Sequence, residues 1–201
     1  MKKGHEPTYS FVILTFVLII IDTLLARLSV YLFPAGSSSG PFGVSILYFA
    51  VAFMLLFTFW FGAYGAIAAY IGTLIGSGLL SSGTLQSHPL VAVCWSVAGL
   101  LQVLIPLIAF RVFDVNVGME SSRDLVHLIL FGVILNNIVG ASWGAYTLAI
   151  GGIIQSSDVT GVFTAWLIGN IVITLIIVPI ALVRLTPTVR KSKLFVKNYW
   201  D

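Results

Sequence analysis

Charge is what this 201-residue chain has least of. Asp, Glu, Lys and Arg together make up 8% of it, against about 25% in soluble domains. With 59% hydrophobic residues and a mean hydropathy of +1.07, that scarcity excludes a folded soluble domain and describes an integral membrane protein. Cysteine is scarcer still. Cys94 stands alone, so no internal disulfide is possible, and it has no Cys or His neighbour at metal-ligand spacing; packing is its expected role. Long polar linkers are missing, which leaves room for about six spans of about 20 residues each. Catalytic signatures are missing as well: no Gly-rich phosphate loop followed by Lys, no Gly-x-Ser-x-Gly elbow, no metal cluster. The expectation is no enzyme and no cofactor. The net charge of +3 comes from a few clustered Lys and Arg, which bear on membrane orientation and not on nucleic acid.

What is present is a series of apolar runs separated by short breaks. Ser10 to Phe33 exceeds the 7–15 residues of a signal-peptide core and no clear cleavage site follows, so it reads as a retained first helix after a short lead carrying Lys2 and Lys3. The charge-free stretch Pro34 to Phe42, "PAGSSSGPF", breaks any helix. Further spans are predicted over about 43–60, 65–80, 89–110, 125–150 and 162–185, with 186–201 as a short basic tail. In the third span Ala68, Gly72 and Gly76 recur every four residues, so small side chains share one face and permit close helix approach. The predicted fold is therefore all-α: one six-helix membrane domain over residues 1–201.

Lys and Arg favour the cytoplasmic side. With six spans, the N-terminus, the Arg111–Asp124 loop and the C-terminal tail share one side, and that side holds every Lys and every loop Arg. Both termini are thus expected in the cytoplasm of a multi-pass cell-membrane protein, in contact with lipid. The opposite loops carry only Asp158 as a formal charge.

Hydrocarbon offers unpaired amides no water, so each polar side chain within a span needs a partner in protein, solvent or ligand. Asp22 and Arg27 lie in span one, five residues and roughly 140° apart on a helix, which strains a direct pair and calls for partners on other helices. Gln102 in span four, Asn136 and Asn137 in span five and Asn170 in span six fall at similar depths. Trp95, Trp143 and Trp166 fall in the outer half. Trp95 and Trp166 also suit membrane-interface anchors, and the amides also suit helix packing at about 0.6 kcal/mol per contact. Together these nine residues are the candidate ligand site, an aromatic and amide cup opening outward: Asp22 and Arg27 to fix ligand charge, the amides to orient it, and the indoles to wall it.

The segments "GPFGVSILYFAVAF", "FWFGAYGAIAAYIGTLIG", "RDLVHLILFGVILNNIVGASWGAYTLAIGG" and "FTAWLIGNIVITLIIVPIAL", covering Gly40 to Leu185, resemble the MASE1 type of integral membrane sensory domain. That resemblance implies a sensor of a small molecule from the extracytoplasmic side, with output carried by a separate protein partner at the cytoplasmic face. In size, span count, cytoplasmic termini and Gly-rich third span the chain also resembles the substrate-binding S component of energy-coupling-factor vitamin transporters. That resemblance implies docking on a coupling protein through small residues of span one, where Ala26 and Ser29 lie. A purely structural membrane subunit is the third reading.

Overall fold

The computed structural model describes residues 9–37, 40–80 and 84–196. The Lys2–Lys3 lead, the start of the Ser81–His88 loop and the end of the basic tail, with Lys197, lie outside the described residues. Helix α1 (Tyr9–Leu32) leads into a two-stranded antiparallel hairpin, β1 (Pro34–Ser37) and β2 (Gly40–Ser45). Then follow α2 (Ala50–Phe61), α3 (Ala63–Leu79), the single turn α4 (Thr84–Ser87), α5 (Pro89–Val112), α6 (Ser122–Ile150) and α7 (Ser156–Val189). Four of these, α1, α5, α6 and α7, are long and apolar enough to cross a membrane. The fold is helical apart from the short hairpin.

The largest departure from the sequence reading is the second predicted span. Residues 43–60 do not form one helix: 40–45 are strand, and the helix starts at Ala50. At 1.5 Å per residue its 12 residues reach only about 18 Å, short of the roughly 30 Å of a hydrocarbon core. The helix is apolar on every side because it is surrounded on every side. Ten of its residues are buried, and it packs on α1, α3, α5 and α7, as an all-round apolar helix requires. The core runs along it through Met54, Leu55 and Phe59, with Phe59 stacked on Phe110 at 4.3 Å.

Gly62, at φ +57°, turns the chain from α2 into α3. A Cβ on Gly65 would run into the backbone of Phe57 and Thr58, so glycine lets the two helices close on each other. The Ala68/Gly72/Gly76 face packs α3 against α1, as its spacing implies: Ala68 meets Leu18, Gly72 meets Asp22, and Gly76 meets Thr23 and Ala26. Two helices widen into π turns, α3 over Leu74–Leu79 and α6 over Leu128–Leu135.

Two ends of the bundle can be told apart. At the hairpin end, Leu85, Ala92, Trp95, Leu148, Ile154 and Trp166 form one cluster. At the other end, Trp60 Nε1 donates to Thr186 Oγ1 at 3.0 Å and the Val196 amide donates to the Trp60 carbonyl. The tail therefore begins later than predicted, because α7 continues through Pro187 to Val189 with Thr186 buried against Trp60. The Arg111–Asp124 loop is tied down at this end by a capping box at Ser121 and Asp124, and by the Asn116 amide donating to Asp124 Oδ1 at 3.0 Å.

Candidate functional site

From Ser45, the last residue of β2, to Phe49 the chain lies outside any helix, against the last turn of α1 and against Gly169 of α7. Among membrane-spanning helices non-helical backbone is tolerated where protein buries it or where it borders a cavity. Both conditions hold. The Ser45 hydroxyl bonds the carbonyls of Ser29 (2.9 Å) and Leu47 (2.8 Å), and Ser29 Oγ accepts from the Phe49 amide at 3.0 Å. On its other side the Ile46 carbonyl lies against the Cα of Gly169 in α7. Beneath this segment sits a chamber lined by Ser45, Tyr48, Thr73, Trp95, Ala98, Gly99, Gln102 and Trp166. Its volume is about 10 Å³, close to the 10–15 Å³ that one water needs.

The chamber wall comes from the strap, Thr73 of α3, and side chains of α5 and α7, and a polar network on α5, α6 and α7 continues below it. On α7, Trp166, Asn170 and Thr174 recur every four residues and share one face. Trp166 lies over Gly144 of α6 and beside Trp95 of α5, ring centroids 5.6 Å apart. Two turns below Trp95, Gln102 Nε2 donates to Asn137 Oδ1 at 2.7 Å. Asn137 Nδ2 in turn donates to the Val133 carbonyl (2.8 Å) and to Thr174 Oγ1 (3.2 Å). These bonds tie α5, α6 and α7 together.

Above this network the pairing stops. The indole Nε1 groups of Trp95 and Trp166, and both amide atoms of Asn170, are buried with no hydrogen-bond partner among the described residues. Asn136, fully buried one turn before Gly140 where α6 abuts Gln102, also has both amide atoms unpartnered among those residues. Each such group left without a partner costs about 1–3 kcal/mol.

Of the nine residues singled out from the sequence, Trp95, Gln102 and Trp166 line the chamber, Asn170 lies one turn from Trp166 on α7, Asn137 reaches it only through Gln102, and Asn136 does not line it. Asp22 is fully buried on α1 behind Tyr48 and Thr73. Two stand apart. Trp143 is 43% exposed on the outer surface of α6, its Nε1 bonded to the Cys94 carbonyl at 2.8 Å. Arg27 is exposed, with Nη1 3.3 Å from the Leu80 carbonyl. Nor are Trp95 and Trp166 interface anchors, being 2% and 6% exposed. The sequence reading missed Tyr48, Thr73, Ser45 and Gly169. Only the Gly-Asn pair in "WLIGN" offered a sign of the last, and nothing marked Tyr48, which lies in a run that reads as continuous helix.

The class of protein that fold and composition define is a helical bundle with the make-up of a membrane protein, enclosing a small chamber under a non-helical strap. Compared with protein-family profiles, with curated proteins and with solved structures, the chain matches none.

Proposed function

We propose that the chain is an integral membrane protein that binds a small polar molecule in the chamber between Tyr48, Trp95, Gln102 and Trp166, and signals its occupancy to a separate partner. The finer topology belongs to the same reading. The chain crosses the cell membrane six times, with α2 and the strap before it completing one crossing. The hairpin end faces outward, and the termini and the Arg111–Asp124 loop face the cytoplasm. The collection of Lys and Arg at the loop end supports that orientation.

One observation carries the binding reading: Trp95 and Trp166, whose indole N–H groups have no partner among the described residues, both line the cavity, and the likewise unpartnered amide of Asn170 lies one turn from Trp166 on α7. A ligand with acceptors for the indoles and a donor–acceptor edge for Asn170 removes the cost of leaving them unpaired. A volume of about one water means that the ligand enters by displacing the strap or the helices around it, and that movement is the signal a partner reads. The sensory reading, with its resemblance to MASE1, is preferred to the S component because Ala26 and Ser29 are buried against α3 and the strap. They are not on a free face where a coupling protein would dock.

The test is purification of the full chain in mild detergent, mass spectrometry of co-extracted small molecules, and a thermal screen of those compounds read by tryptophan fluorescence. The expected result is a compound that raises the unfolding midpoint and binds at least tenfold more weakly to Trp166→Phe/Asn170→Ala. If no compound shifts the midpoint, the chain is a structural subunit and the binding reading fails.

A further inference from the structure

Asp22 is the most deeply buried acidic side chain among the described residues. Its relative exposure is 0%, and both carboxylate oxygens lack a hydrogen-bond partner among the described residues. Ionisable groups inside membrane helices are rare and as a rule serve a function. Glycine makes the space for Asp22, since a Cβ on Gly72 would collide with the carboxylate.

A linked set of hydroxyls begins at Tyr48. The carboxylate acts electrostatically on the Tyr48 phenol, whose oxygen is 3.3 Å from Thr73 Oγ1 and accepts from Ser77 Oγ at 3.2 Å. Thr23 Oγ1, next to Asp22 on α1, is buried and unpartnered among the described residues. Ser77 sits in the π turn Leu74–Leu79, an irregularity found more often at functional sites than elsewhere in helices. Arg27, the basic residue on the same helix, has its guanidinium turned to the Leu80 carbonyl at the surface. A buried acid without a partner among the described residues, next to a linked set of hydroxyls, is the chemistry of a site for a single positive charge. Tyr48 and Thr73 belong both to this pocket and to the chamber wall, so the two are contiguous.

We propose that Asp22, with the hydroxyls of Tyr48, Thr73 and Ser77, forms a cation subsite beside the chamber. The positive charge is either the protonated amine of the bound small molecule or a sodium ion. The amine source rests on the chamber being a ligand site, whereas the sodium source does not.

The experiment uses the full chain in mild detergent at constant ionic strength. Sodium chloride is compared with N-methyl-glucamine chloride, and 2-phenylethylamine with its neutral counterpart 2-phenylethanol. Unfolding midpoints are read by tryptophan fluorescence, and carboxyl bands by infrared difference spectroscopy with isotope-labelled aspartate. The expected result is that sodium or phenylethylamine raises the midpoint and changes a buried aspartate band, with the apparent affinity falling at least tenfold in Asp22→Asn. Stabilisation by sodium identifies the ion as the source, and stabilisation by phenylethylamine alone identifies the amine. If Asp22→Asn does not fold, the infrared change in the unaltered protein decides. Equal stabilisation by phenylethanol and phenylethylamine, with no sodium effect, overturns the subsite and leaves the chamber reading standing. No midpoint shift and no band change with either cation also overturns the subsite, while the chamber reading is judged by its own compound screen.

Discussion

The carbonyl oxygen of Ile46 lies directly against the Cα of Gly169, so a loop before α2 and a long helix near the end of the chain meet backbone to backbone. This contact holds the Ser45–Phe49 strap over the chamber. Gly169→Ala inserts a methyl group where the carbonyl sits, and overpacking of this kind costs about 1–3 kcal/mol. The expected outcome is a lower unfolding midpoint together with faster exchange of the Ile46–Phe49 amides. An unchanged midpoint with unchanged exchange would show that the strap does not depend on this contact.

The Gln102–Asn137–Thr174 network provides a test of coupling. Asn137→Leu removes the acceptor for Gln102 and both donated bonds, leaving a buried amide orphaned at a cost of about 1–3 kcal/mol. Adding Gln102→Leu removes the orphan, so the double variant is expected to be more stable than the sum of the single losses predicts. A double-mutant cycle on unfolding midpoints measures the difference, and additivity would place the two side chains in separate environments.

Tryptophan exposure separates chamber from surface. Trp143, 43% exposed, is expected to be quenched by brominated detergent or lipid, while Trp95 and Trp166, at 2% and 6%, are protected. Comparing Trp143→Phe with Trp166→Phe shows which indole accounts for the quenching. Loss of quenching in Trp166→Phe but not in Trp143→Phe would contradict the packing described.

At the loop end, Asp124 joins the capping box to the Asn116 amide. Asp124→Ala removes the N3 half of the capping box and is expected to lower stability by about 0.5–2 kcal/mol, the range for losing helix-capping bonds. Arg190→Ala breaks a half-exposed pair with Glu120 at 3.3 Å and its bond to Asn116; exposed ion pairs contribute roughly 0–1 kcal/mol, so its effect is the smaller. Thermal melts of the two variants give the order, and the reverse order would make the arginine contact the principal tie.

The long helices were legible in the sequence because an uninterrupted apolar run of sufficient length has one economical conformation in hydrocarbon. Their boundaries at Tyr9, Leu32, Pro89 and Ile150 fall within a few residues of those expected. The close approach of α1 and α3 was legible too, through Ala68, Gly72 and Gly76. The segment from Gly43 to Phe49 was not, because Val, Ile, Leu, Tyr and Phe suit strand, loop packing and helix alike. Hydropathy registers only that they avoid water.

Composition and periodicity by themselves determined the class: a nearly uncharged helical bundle with amides and indoles that need partners. Which of those groups are satisfied was decided only by the tertiary structure. Gln102 and Asn137 meet across two helices. Asn170 lies one turn from Thr174 on the same face of α7, yet its amide has no partner among the described residues while the Thr174 hydroxyl is bonded. Trp143 turned outward and Trp166 inward although both lie in apolar runs. Spacing along one helix sets which residues share a face, but which face meets a neighbour depends on how all the helices pack, and no single segment encodes that.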